Sequence, residues 1–384
     1  MKINTYKRKE FNYYNDVQLK LCDEQESLND FIGLPFSSEA LKKQIQIKQE
    51  SFSKEKRKIL QAHFESQYKN IEISEAIKKN INLVSEENTF TITTGQQLTL
   101  FGGPAFFFYK IIHCISLTSK LKKNNPEYNF IPVFWLASED HDKEEISDTT
   151  IFHQKFHWEN EFTGATGDFP LDDKIEKIKN SILDFFSNNE DCEIASHLKK
   201  FNGLTLSEAF IIFLTSIFKD YGLLVLDANS PILKKELSIV FVNEINEFST
   251  FKNVSETNEQ LQKNGIKSQA KIREVNFFKL HEGQRLKINY SENKFFIANK
   301  EIQKEKLLSD IQNNPESFCQ GLGAGAIGDE QPLGGRSGVW PLRGQILKIG
   351  RLQQGRQAGA LLLVGADPLA PLPPLRLLPQ GGLG

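Results

Sequence analysis

The sequence has no run of about 18 consecutive apolar residues, the length a helix needs to cross a bilayer. Its opening stretch, MKINTYKRKEFNYYND, lacks the apolar centre of a secretion signal. Cysteine is scarce: Cys22, Cys114, Cys192 and Cys319 are scattered, with no CxxC spacing. That pattern argues against a zinc ribbon or a dithiol redox site and predicts reduced thiols in a cytoplasmic protein. An excess of one charge is missing too. The formal net charge is -2, which gives no electrostatic reason to expect nucleic acid or an anionic membrane as partner. No internal repeat is visible. What is present is a chain of 384 residues, 39% hydrophobic and 25% charged, which predicts a globular protein with two or three substructures.

Composition changes abruptly after Phe318. Up to that residue the chain holds all 30 phenylalanines and 37 Lys against 4 Arg. From Cys319 onward one Lys faces five Arg, and Phe, Tyr and Asn are absent. The same stretch carries 15 of the 25 glycines and 7 of the 14 prolines. Lys, Asn, Phe and Ile come from AT-rich codons, whereas Gly, Pro, Ala and Arg come from GC-rich ones. The change therefore favours a junction with foreign sequence over a natural linker, and residues 319–384 are expected to form an irregular, poorly packed tail.

Before the break, Ser38 to Tyr68 has a charged helical pattern, and Ser74 caps a second helix reaching Val84. Phe90–Thr93 is a predicted strand. A glycine-bearing loop, Thr94 to Gly103, leads to Pro104, which suits the first position of a helix running to Lys122. Phe130–Ala137 is apolar throughout, as expected of a buried parallel strand. Strand, loop, helix and strand make one βαβ unit of about 50 residues, whose strand ends share one edge of the sheet. Open α/β sheets bind ligands at that edge. An inserted segment follows, with a turn at Thr163–Gly167 and an amphipathic helix near Ile175–Phe186. Thr205 to Glu208 is a capping box, and Leu223–Leu226 is a third buried strand ending at Asp227. Near Phe277–Leu280, Arg285–Asn289 and Phe295–Ala298 the pattern is an antiparallel meander turning at Glu282-Gly283 and Ser291-Glu292-Asn293. The expected divisions are 1–85 helical, 86–150 the βαβ unit, 151–204 the insertion, 205–318 the continued core with the meander, and 319–384 the tail.

Two strand ends carry chemistry. In the loop Thr94, Gly95, Gln96, Gln97, Gly102 and Gly103, glycines let backbone N–H groups approach an anion, and the following helix N-terminus adds about half a positive charge. The loop matches neither a Walker A nor a GxGxxG pattern, and a structural turn fits as well. Lys110 and Tyr109 lie one to two turns into the helix, where they either approach a ligand or form a solvated face. Ser138-Glu139-Asp140-His141-Asp142 sets three carboxylates and an imidazole directly after the apolar strand. Such a cluster can hold a metal, position an amine or supply a base near neutral pH, with His141 the natural proton carrier and Glu139, Asp140 or Asp142 orienting its ring or receiving a substrate ammonium group. The alternative is a charged loop capping the next helix. Asp227 either binds a hydroxyl group or caps a turn. His153 and His157 have the spacing of a metal pair but lack the HExxH glutamate, and no metal site is expected.

The stretches TGQQLTLFGGPAFFFYK (Thr94–Lys110) and PVFWLASEDHDKEE (Pro132–Glu145) resemble the BshC family, the cysteine-adding enzymes of bacillithiol biosynthesis. YGLLVLDANSPILKK (Tyr221–Lys235) and NNPESF (Asn313–Phe318) extend the resemblance over residues 1–318. It implies an α/β fold with a Rossmann-like parallel core, inserted connecting segments, and a homodimer formed through a C-terminal coiled coil. It also implies an enzyme that joins L-cysteine through an amide to the amine of glucosaminyl-malate. Carboxyl activation by ATP is the natural hypothesis for that step, the glycine loop then holding phosphates, with Ser138, Tyr109 and Asp227 near the substrate. The tail stands where the family continues its core, so part of the sheet, the pocket and the dimer contact would be missing. An inactive fragment and a metal-dependent hydrolase are the competing expectations.

Overall fold

The computed structural model describes residues 10, 19–20, 28, 31, 38–187, 192–266 and 273–320. Helix α1 (Ser38–Ser51) and helix α2 (Lys54–Gln67) divide the stretch whose charge pattern reads as one helix. Ser53 makes the division: it is extended, and its side chain accepts from Lys56 N to cap α2. Ser74 caps α3 (Glu75–Leu83) through Ile77 N, as its sequence position predicts.

Strand β1 (Thr89–Gln96) is followed by α4 (Phe106–Asn124) and β2 (Asn129–Leu136). The two strands pair in parallel from Thr89↔Asn129 to Gln96↔Leu136, giving the expected βαβ unit. Thr94, Gly95 and Gln96 belong to the strand, not to the loop after it. The helix starts at Phe106 rather than Pro104, because Leu100–Gly102 first form a short 3-10 turn with Phe101, Gly102 and Gly103 at positive φ.

Past β2 come a single helical turn, α5 (Lys143–Ile146), and a hairpin, β3 (Asp148–Ile151) with β4 (Gln154–His157). Helices α6 (Asp173–Asp184), α7 (Glu193–Lys199) and α8 (Leu206–Phe218) lead to β5 (Leu224–Asp227), which pairs in parallel with β2. Thr205 caps α8 through Glu208 N, and Glu208 Oε2 accepts from Leu204 N.

The parallel sheet has the order β1-β2-β5. Pro132, which has no N–H, is tolerated inside the middle strand because β5 joins only from Val133 onward. The outer edge of β5 is closed by side chains of α2 and its C-cap. Gln67 donates to Val225 O and accepts from Asp227 N, while Tyr68 Oη accepts from Val225 N.

Helices α9 (Pro231–Glu247) and α10 (Ser249–Lys263) precede the meander. Its strands are β6 (Phe277–His281), β7 (Gln284–Ser291), β8 (Lys294–Ile297) and β9 (Lys300–Ile302). The turns Glu282-Gly283, Glu292-Asn293 and Ala298-Asn299 each place two successive residues at positive φ, the requirement of tight type I′ hairpins. Helix α11 (Lys304–Asn313) and β10 (Phe318–Gln320) complete the described chain, β10 pairing antiparallel with β6. The strand thus runs two residues past the change of composition. Residues 321–384, the rest of the expected tail, lie outside the described residues.

The sheet separates two apolar layers. Phe90, Ile92 and Phe130 pack with Leu41 and Ile45 of α1 and with Cys114, Leu117 and Leu121 of α4. Ile131 and Val133 join the larger core with Ile77, Phe107, Phe210 and Leu214. Each such side chain contributes roughly 1.5–3 kcal/mol on burial. A separate core joins α9, α11 and the meander through Phe241, Phe277, Ile288, Leu307 and Phe318. Strand periodicity turns Phe277 and Ile288 into that core, so Phe278 and its same-face neighbour Arg285 face the other way.

Candidate functional site at the C-terminal edge of the parallel sheet

The segment after β2 is held by three other parts of the chain. Ser138 O accepts from Gly167 N at 2.9 Å, and Asp140 O accepts from Thr166 N at 2.7 Å. Between them, Glu139 O accepts from Arg285 Nη2 on β7 at 2.6 Å. The Asp140 carboxylate accepts from Gln97 Nε2 at 2.6 Å and from His141 N at 2.7 Å, with Arg285 Nη1 3.9 Å away. Three consecutive carbonyls are therefore fixed by donors from the insertion and the meander. His141 Nδ1 adds a 3.1 Å contact to Glu139 O, so the segment is held while Glu139 Oε2 and His141 Nε2 stay uncommitted.

Those side chains are Glu139 and His141. Glu139 Oε2 and His141 Nε2 are closed off from solvent, without a hydrogen-bond partner among the described residues. Burial raises the Glu139 carboxyl to about 7, the Asp140 charge adding to the effect and Arg285 opposing it. Burial, assisted by the positive charge of Arg285, lowers His141 to about 4, so its ring is neutral at pH 7. Lys234, reaching in from α9, donates to Asn229 Oδ1 at 2.6 Å and has its pKa lowered by burial. Asn229 Nδ2 in turn donates to both oxygens of Asp168, whose pKa burial raises.

The other expected site residues divide by how far their groups are already occupied. Asp227 accepts from Ser138 Oγ, from Ser207 Oγ at 2.6 Å and from Asn229 N at 2.9 Å. These bonds tie it into the turn after β5, and the fully buried Ser138 is one of its partners. Asp142 caps α5 through Glu145 N. Lys110 Nζ donates to Gln96 Oε1 at 2.5 Å and to Gly95 O at 3.3 Å, and burial lowers it to about 8. Tyr109 lies on an exposed helix face. Thr94 is buried, and its Oγ1 has no hydrogen-bond partner among the described residues.

Gly102 and Gly103 do not offer their N–H groups to a phosphate. Gly102 N donates to Thr99 O at 2.8 Å and Gly103 N to Leu100 O at 3.1 Å, so neither N–H is available to an anion. The space a Cβ would take at Gly102 is filled by the Phe108 ring, and at Gly103 by Thr99. These glycines serve the packing of the turn. Among the described residues, no three His, Cys, Asp or Glu side chains converge as a metal site, so the hydrolase reading has no ligand set there. His153 sits in the β3–β4 turn and His157 bonds Asp148 Oδ1 at 2.7 Å.

The profile of the family described as "Bacillithiol biosynthesis BshC, N-terminal Rossmann-like domain" matches residues 1–322. The chain belongs to the BshC family. It is 36% identical over 314 residues to a BshC protein of Flavobacterium johnsoniae, named as a cysteine ligase, covering 80% of this chain and 58% of that protein. A namesake in Christiangramia forsetii is 33% identical over 326 residues, covering 83% and 61%. Another in Flavobacterium psychrophilum is 35% identical over 318 residues, covering 80% and 58%. The chain thus spans less than two thirds of the length of each of these relatives.

Within the BshC fold, Arg285, Lys234 and Asp168 lie at the candidate site, although none of them stands out as a site residue in the sequence. Arg285 is 146 residues from Glu139 in sequence, and only the packing of the meander joins them. One sequence signal was available. With 37 Lys and 4 Arg before Cys319, an arginine is a rare choice, and Arg57 and Arg285 both use their fork to hold backbone carbonyls.

Proposed function

We propose that this chain carries the amine-accepting half of a ligase site that joins L-cysteine to the amine of glucosaminyl-malate to give bacillithiol. Family membership supports the reaction class. The observation that supports the site is Glu139, a buried carboxyl near pH 7 on a segment whose backbone is pinned from three sides.

The chemistry asks for two things. The cysteine carboxyl must carry a leaving group, because a free carboxylate does not form an amide, and ATP is the proposed source of that activation. Its phosphates are not assigned to Gly102 and Gly103. The attacking amine must also lose a proton as the C–N bond forms. A base suits that role when its pKa lies near the working pH, which favours Glu139 over the neutral, weakly basic His141. His141 then serves through its unpartnered Nε2, as a hydrogen-bonding group beside the reacting amine.

The test incubates the chain with L-cysteine, glucosaminyl-malate and ATP and seeks bacillithiol by mass, with a full-length relative alongside. Product that disappears in Glu139→Gln is the expected result. No product, while the relative works, removes this chain from the enzyme class and leaves it a family fragment.

A further inference from the structure

Arg273 stands just before β6 with its backbone fixed by a neighbour. Arg273 N donates to Asn276 Oδ1 at 3.2 Å, and Asn276 Nδ2 donates to Arg273 O at 2.6 Å. Its guanidinium carbon lies 5.1 Å from the centroid of the Phe278 ring. The same ring is 6.0 Å from the guanidinium carbon of Arg285, whose Nη2 holds Glu139 O. Two of the chain's few arginines therefore meet at one aromatic ring, on the face of the meander turned away from the Phe277 core.

Their situations differ. Arg285 is committed to the site segment. Arg273 Nε, Nη1 and Nη2 are all closed off from solvent, and none has a hydrogen-bond partner among the described residues. Burial lowers the pKa of Arg273, and the charge of Glu274 only partly offsets this. A guanidinium offers five N–H donors and no acceptor, so leaving all of them unmet away from water is costly. The partner that matches its planar fork is an oxyanion, taken bidentate, and the ring beneath it stabilises the cation without competing for the N–H groups.

We propose that Arg273, with Phe278 and the Arg285 that holds Glu139 O, forms an oxyanion receptor on this face of the meander that takes a carboxylate of a small dicarboxylate. Naming that carboxylate as the malate end of the acceptor rests on the ligase reading above; the receptor itself rests on Arg273. A phosphoryl group has the same chemistry, so the experiment separates the two.

Calorimetric titrations of the full chain would use L-malate alone and inorganic phosphate alone. The proteins are the unmodified chain, Arg273→Gln and Arg273→Lys. Malate is expected to bind, to weaken on the order of tenfold to a hundredfold in Arg273→Gln, and to be partly retained in Arg273→Lys. Should Arg273→Gln lose its cooperative thermal transition, Arg273→Lys alone carries the comparison, since it keeps the charge and loses the fork. Phosphate binding that depends on Arg273, with malate indifferent, overturns the carboxylate assignment. Neither anion binding, or both binding equally to all three proteins, overturns the receptor. Arg273-dependent malate binding in a chain that makes no ligation product would leave the receptor standing and the ligase reading fallen.

Discussion

Gln97 Nε2 donates to Asp140 Oδ2 at 2.6 Å, tying the loop after β1 to the loop after β2. Gln97 is buried, and the bond closes the edge of the sheet between neighbouring strands. Replacing it with Leu keeps the volume and leaves the Asp140 carboxylate short of one donor. The expected loss is about 1–3 kcal/mol in urea denaturation. Gln97→Glu should lose more, because it sets a second carboxylate against the first. Equal stability of all three proteins would show that the two loops are held by something else.

The pH dependence of stability carries a signature of Glu139. Its carboxyl titrates near 7 in the fold against an ordinary 4.5, so between these values the folded chain holds a proton that the unfolded chain has released. Its contribution to stability is therefore fully present below about 4.5 and is lost as pH rises through 7. His141 works in the opposite direction: lowered to about 4 from 6.5, it adds stability as pH rises across that interval. The two mask one another in the unmodified chain. Glu139→Gln should remove one of them, so the stability of the variant relative to the parent should climb from pH 4.5 to 7, by about 3 kcal/mol at most. Parallel denaturation curves at each pH would contradict the raised carboxyl.

How much of this was legible beforehand follows from the range of the interactions. Ser74, Thr205 and the turn at Glu282-Gly283 act within a few residues, and each does what its local pattern says. The apolar run Phe130–Leu136 reads as a buried strand because both of its faces are covered. Helix α9 was hidden because it buries Lys234 and Glu244 alongside Phe241 and Ile245, which blurs the apolar stripe. The start of the site was shifted because Thr94-Gly95-Gln96 reads as a turn, while the pairing of β1 with β2 keeps it extended. The cluster at Ser138–Asp142 was visible as a cluster. Which members were caps depended on partners such as Ser207 and Glu145, and those only the fold supplies.

Asp227 offers a direct separation of structural from ligand-binding roles. Its carboxylate receives Ser138 Oγ, Ser207 Oγ and Asn229 N, gathering the ends of β2, α8 and β5. Asp227→Ala should cost about 2–4 kcal/mol, since it strands two hydroxyls and an amide in a buried setting. Asp227→Asn should cost less, as its remaining oxygen still accepts. Thermal and chemical denaturation read both. A stable Asp227→Ala chain that lost ligand affinity would reverse the assignment and return Asp227 to the binding surface.

Gly95 tests whether a glycine of the motif serves the ligand or the sheet. Its φ is not in the left-handed region, so no backbone conformation demands glycine there. The demand is steric: a Cβ would stand 2.8 Å from Trp135 O and 2.9 Å from Trp135 Cβ, on the strand paired with it. Neither atom is the end of a flexible side chain, so Ala can be accommodated only by parting β1 from β2. A loss of about 1–3 kcal/mol is expected for Gly95→Ala, with a larger one for Gly95→Val. Gly265 provides the contrast, with open space around it but φ at +68°. There the loss should be insensitive to side-chain size and partly relieved by Asn, which tolerates the left-handed region. Urea midpoints for Gly95→Ala, Gly95→Val, Gly265→Ala, Gly265→Val and Gly265→Asn decide the matter: a neutral Gly95→Ala would remove the close approach of the strands as the reason for this glycine.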